Sequence, residues 1–278
     1  MANVWLAYAL SLIIAFFNSV VLNSLFVERE GSSRSSHLPS AVFLIFSGIA
    51  SQIEFMLHNQ LLVLFVLVAL FFVQRLEQSI NEVNDSFFAG FFIALASTLT
   101  PFAIVLFVLV IFRAVSTRWS VSRVFFLITL GFLIPLYLSW TLNFLFNNGA
   151  GFIESYFSLF TIEFIGLSQK LSDKISLIFL IVIGIISVIS TINSEAYKNV
   201  NPRAWIQLWM IFSVFFLIIG LFVSKQNGSF QLAITPIAGF LCFTILGAKR
   251  KLLRKSVFYL VFVAMLIDHA NTIGLINL

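Results

Sequence analysis

Apolar residues run along this chain in long blocks separated by short polar punctuation. Cut at charges and turn residues, the blocks are 3–25, 38–57, 60–74, 87–112, 121–146, 175–192, 204–223, 230–247 and 257–276. About 20 apolar residues cross the ~30 Å hydrocarbon layer of a membrane. Backbone groups in lipid must be satisfied internally, so the pattern predicts an all-α polytopic integral membrane protein with about nine transmembrane helices. The first block lacks the positive flank and small-residue cleavage site of a secretory signal, and Asn18 and Asn23 lie near its end. It reads as a retained first helix.

Two places test this division. The triplet His58-Asn59-Gln60 is an uncharged connector, and joining its two neighbours into one bent helix would put Glu28 and Arg75 on opposite faces of the membrane. The block 87–112 is interrupted by Ser97, Thr98, Thr100 and Pro101. Folding it into a hairpin would place acidic 75–86 and basic 113–123 on one side, so a single kinked crossing is expected. Pro135 and Pro236 bend two further blocks.

Composition removes whole classes of function. Of 278 residues, 60% are hydrophobic and 10% charged, with a mean hydropathy of +1.07. An ordinary soluble domain carries about 25% charged residues, so a soluble globular protein is excluded. Nine spans leave no room for a separate soluble catalytic domain, and residues 1–278 read as one integral membrane domain. The single cysteine, Cys242, provides neither a disulfide nor a cysteine metal site. Despite a pI near 9.6, the cations are scattered between apolar blocks, which argues against nucleic acid.

The cations serve better as a topology signal. With nine crossings, the connectors 113–123, 198–203 and 249–255 hold ten Lys and Arg, while the opposite set holds six. The first set is then cytoplasmic, with the N-terminus inside and the C-terminus outside. Segment 147–173 falls outside, and its Phe152, Tyr156, Phe157, Phe160, Phe164 and Leu167 recur at helical spacing. It reads as an interfacial helix.

Candidate chemistry lies with charged residues in unusual places, because no nucleotide-binding glycine loop, zinc motif or nucleophile elbow is present; no metal is expected, and no cofactor is indicated. After the first block come Glu28, Arg29, Glu30, Arg34 and His37. A carboxylate there suits a general base, and an arginine suits a lipid phosphate. The bland alternative is a solvated loop. Glu54 sits inside the second block with His58 one turn later, a pairing suited to proton relay or to simple snorkelling. Asp268 and His269 lie near the outer end of the last block, where a polar interfacial end is the plain reading.

The runs Phe87-Phe88-Ala89-Gly90-Phe91-Phe92-Ile93-Ala94-Leu95-Ala96-Ser97, Gly131-Phe132-Leu133-Ile134-Pro135 and Ala233-Ile234-Thr235-Pro236 resemble an uncharacterised polytopic inner-membrane family of Bacteroidetes-type bacteria. More remotely, the layout of Glu28-x-Glu30 after the first helix is similar to the polytopic GT-C glycosyltransferases, which carry an acid-x-acid motif in the first external loop. That resemblance implies a transferase using a polyprenyl-phosphate-linked sugar, with Glu28 or Glu30 as base and Arg29, Arg34 and His37 near the lipid phosphate. Here both acids are Glu and the loop is short. The expectation is an inner-membrane protein of envelope glycan or lipid-linked sugar metabolism, in contact with membrane lipids. The alternatives are a transporter or flippase, or a non-catalytic subunit of an envelope membrane complex.

Overall fold

A computed structural model describes residues 2–30, 37–50, 56–77, 81–117, 121–147, 182–189, 191–192, 206–216, 232 and 234–241. These residues are helices with their caps and turns, and no strand occurs among them. The main helices are α1 (Ala2–Glu30), α2 (Leu38–Ala50), α3 (Met56–Glu77), α4 (Glu82–Leu99), α5 (Ile104–Thr117) and α6 (Val121–Asn147). Three stretches are long and apolar enough to cross a membrane: Leu6–Phe26, Leu57–Leu76 and Val121–Phe146. Shorter apolar helices cover Leu38–Ser47, Pro101–Arg113 and Ile206–Phe216. Among the described residues the expected nine long spans are therefore three. The interfacial segment expected over 147–173 lies outside the described residues beyond Asn147.

The chain forms two compact units, Met1–Leu57 with Glu163–Leu278, and His58–Ile162. In the first, α1 buries a stripe of small and polar residues, Ser11, Ala15, Asn18 and Ser19, followed by Leu22. Small side chains let membrane helices approach closely. The Ser40 hydroxyl of α2 donates to the Ser19 carbonyl at 2.8 Å, tying the two helices together. Further along α1, the Phe26 ring lies 5.1 Å from Trp209 and 6.3 Å from Phe240. That ring covers Gly239 so closely that any side chain there would collide with it.

The second unit is built around α4. Ser86, Gly90, Ala94 and Ser97 are small and buried at three- and four-residue spacing. Gly90 meets α6 at Gly131: a Cβ on Gly90 would strike the Ile128 carbonyl, and one on Gly131 would strike the Phe87 carbonyl. The same short motif, Gly-Phe-x-Ile, stands on both sides of the crossing, at 90–93 and 131–134. With no Cβ at either glycine the two backbones touch. α6 also exposes Phe125, Phe126, Leu133, Tyr137 and Leu138, an apolar surface suited to lipid.

Between α4 and α5 the expected single kinked crossing is corrected. Thr100 is extended at φ −141° and ψ 124°, and Pro101 opens a 3-10 turn over Pro101–Ala103. The residue before a proline is driven out of the helical region, so α4 stops there. The freed hydroxyls find local partners, Ser97 Oγ on the Ala94 carbonyl at 2.7 Å and Thr98 Oγ1 on the Leu95 carbonyl at 2.8 Å. Beyond the break the chain turns back. The Phe107 and Phe132 rings stack at 4.1 Å, while the Phe132 amide lies 3.0 Å from a Cβ built on Gly90. A continuous helix would separate Gly90 and Phe107 by about 25 Å along its axis, too far for both contacts. α4 and α5 are therefore a hairpin, α5 and α6 a second, and the start of α4, the end of α5 and the start of α6 lie at the same end of the unit.

α3 pairs with α4 in antiparallel fashion. Phe72 stacks on Phe88 at 5.2 Å and on Phe92 at 5.9 Å, and Phe65 meets Phe92 at 6.3 Å. Helix α3 begins at Met56, so His58-Asn59-Gln60, expected as a connector, is its first full turn. Asn59 and Gln60 are buried there, which polar punctuation in a sequence does not foretell.

Candidate functional site

The α3–α4 pair carries polar groups at both ends of an aromatic middle. At one end, Arg75 sits in the last turn of α3 and Asp85 in the first turn of α4. Arg75 Nε lies 3.7 Å from Asp85 Oδ1, an ionic contact longer than a hydrogen bond. Asp85 is 2% exposed and Arg75 37%. The acid is thus sealed within the protein while the guanidinium keeps water within reach, its carbon also standing 5.8 Å from the centre of the Phe71 ring.

Asp85 has one further mark. Its Oδ2 is buried and has no hydrogen-bond partner. A buried, unpaired carboxylate oxygen is costly, and burial pushes the Asp85 carboxyl above its ordinary value while Arg75 pulls it back. Beside Arg75 in sequence, Gln74 is also 2% exposed, and neither its amide nitrogen nor its amide oxygen has a partner. Next to Asp85, Ser86 spends its hydroxyl on the Glu82 carbonyl at 2.5 Å. This end can take up a proton on Asp85, accept a donor at Oδ2, or present Arg75 to an anion.

At the other end, the His58 imidazole is hydrogen-bonded with the backbone at Leu99. Asn59 Oδ1 and Thr100 Oγ1 are buried there without partners. His58 was expected to share a helix face with Glu54, which lies outside the described residues, so the structure leaves that relay unjudged.

The loop chemistry is less fully placed. α1 stays helical through Glu30, which puts Glu28, Arg29 and Glu30 in its last turn. Their side chains, and all of Arg34, lie outside the described residues. His37 is exposed, and its carbonyl accepts the Ala41 amide at 3.1 Å at the start of α2. Asp268 and His269 are likewise outside the described residues. Sequence reasoning passed over Arg75 and Asp85 because Glu77 to Asp85 reads as a solvated acidic connector. The available signal was Gln74-Arg75 directly continuing an apolar run, with Asp85 two residues before the next begins at Phe87.

The family described as "Family of unknown function (DUF6427)" matches residues 3–276, and the chain belongs to it. This agrees with the uncharacterised family expected over most of the chain. No curated protein and no solved structure matches.

Proposed function

We propose that this DUF6427 chain is a multi-pass protein of the bacterial inner membrane, a transporter or flippase in which Asp85 exchanges a proton and Arg75 an anionic group. The observation that carries this reading is the buried Asp85, paired with Arg75 on one oxygen and orphaned on the other. Ionisable groups beside apolar helices are costly, and they mark ion or proton pathways by default. When Asp85 is charged it holds Arg75. When protonated it releases the guanidinium, which then offers planar, charge-assisted hydrogen bonds to a phosphate or carboxylate. A lipid phosphate at the membrane boundary is an anion of that class. The test is reconstitution in vesicles containing a fluorescent phospholipid, with and without a pH gradient. Asp85→Asn and Arg75→Gln should each abolish lipid movement at matched abundance, and an active Asp85→Asn variant would overturn the reading.

A second reading keeps the expected transfer of a polyprenyl-phosphate-linked sugar in envelope glycan metabolism. It is favoured by the helical continuation of α1 through Glu30. Loss of a true general base typically costs about 10²- to 10⁴-fold in rate. Complementation of a deletion strain by Glu28→Gln, by Glu30→Gln and by the double variant separates the readings, since full activity of the double variant removes this loop as a catalytic centre.

A further inference from the structure

The rings between α3 and α4 lead away from Arg75. Phe72, one turn before it, stacks on Phe88 and Phe92 at 5.2 and 5.9 Å, and Phe92 meets Phe65 at 6.3 Å. These rings are not sealed: Phe88 is 39% exposed, and Phe65, Phe72 and Phe92 are half-buried. They make a continuous aromatic strip with a cation at one end. Its length is that of one leaflet. Arg75 stands one residue before the end of Leu57–Leu76, a stretch able to cross a membrane, and Phe65 lies near the middle of that stretch. A guanidinium so placed sits at headgroup depth. Arg75 and Phe65 are ten residues apart. Their separation along the helix is ~15 Å, half of the ~30 Å hydrocarbon layer.

We infer that this strip seats one anionic diacyl phospholipid, its phosphate on Arg75 and one acyl chain along Phe72, Phe88, Phe92 and Phe65. The inference rests on the reading of Arg75 as the group that takes an anion, and it gives that anion its apolar half. Among the described residues the guanidinium touches Asp85 Oδ1, 3.7 Å from Nε, and the Phe71 ring. Neither contact is a hydrogen bond, so its N–H donors remain available to a phosphate. Free phosphate would use the guanidinium and leave the rings bare. A zwitterionic phospholipid would use the rings, but its own cation would offset the attraction to Arg75. An anionic phospholipid uses both, and a chain of one leaflet's depth ends where the strip ends.

The test places the full chain in phosphatidylcholine vesicles holding a small fraction of phosphatidylglycerol, whose palmitoyl chain carries a photoactivatable diazirine near its end. Illumination followed by peptide mass spectrometry should find crosslinks around Phe65 and Phe92. They should exceed by about tenfold those around Leu133, which is mid-span on α6 and exposed. Arg75→Gln should bring them down to the Leu133 level. The same diazirine on phosphatidylcholine should give that low level with the wild-type chain, a comparison that no misfolded variant can disturb. Equal crosslinking by the two lipids, or crosslinks spread evenly over the exposed apolar residues, would overturn the inference. So would displacement by added sodium phosphate, which would make Arg75 a site for a free anion. Crosslinking reports occupancy at equilibrium. Preferential crosslinks in a chain that moves no lipid would sink the transport reading alone, and lipid movement without them would sink this inference alone.

Discussion

The two sides of α4 are held in different ways. Against α6 the contact is backbone on backbone, with Gly90 and Gly131 leaving nothing between the helices to rearrange. Against α3 the spacing is set by Phe65, Phe72, Phe88 and Phe92, with the Arg75–Asp85 pair at one end and His58 at the other. A backbone contact has one geometry. Side chains between helices have rotamers to exchange and a backbone contact has none, so the α3 side has the freedom to rearrange that the α6 side lacks. Chemistry that requires movement belongs on the side where the groups between the helices are mobile.

The sharpest way to break this comparison is to fill the rigid side. Gly90→Leu or Gly131→Leu forces a side chain into a carbonyl that cannot yield, and each should cost ~3 kcal/mol or more in detergent unfolding titrations. If either variant unfolds like the parent, the two helices do not touch there.

On the mobile side, Arg75→Met leaves Asp85 buried without its cation. Because Arg75 is 37% exposed, the expected loss is about 1 to 2 kcal/mol at neutral pH, below that of a fully buried pair. The loss should shrink in acid, where Asp85 is protonated. The wild-type pH dependence has a definite sign as well. The folded state favours protonated Asp85, so this group's contribution to stability is fully present below its ordinary value of 3.8 and is lost as pH rises through the raised value. Asp85→Asn should remove that slope, and a slope that persists unchanged would assign it elsewhere.

Smaller effects sharpen the comparison. Phe72→Leu removes two stacked partners and should cost about 1 kcal/mol in the same titration. In the other unit, Ser40→Ala deletes the hydroxyl on the Ser19 carbonyl and should cost about 0.5 to 1 kcal/mol, measurable by the same titration.

Helix content and the approximate blocks were legible from hydrophobic runs, since apolar length is what a membrane selects. Helix ends were not. α1 continues past its last apolar residue to Glu30, and α3 starts ahead of His58, because a helix tolerates polar residues that a hydropathy cut treats as boundaries. Charge patterning argues against the hairpin, because it brings an acidic and a basic segment together. Thr100 and Pro101 decided otherwise through backbone sterics, which charge counting does not sense. The motif around Gly90 and Gly131 was visible as a likeness to a family, yet that these two runs touch each other is a tertiary fact. Asp85 was hidden for a related reason: burial of a carboxylate at a span's edge depends on which helix covers it.

During synthesis, the block 87–112 reaches the insertion machinery as one apolar stretch of a length that would ordinarily pass through once. The break at Thr100-Pro101 folds it back on itself, so one dipeptide decides at which end of the unit α5 finishes. Pro101→Leu should rejoin the two halves and carry Arg113 to the far end of the unit, away from Arg75 and Asp85. The fate of such a chain would be rapid proteolysis, a defect of biogenesis arising far from any residue that touches a ligand.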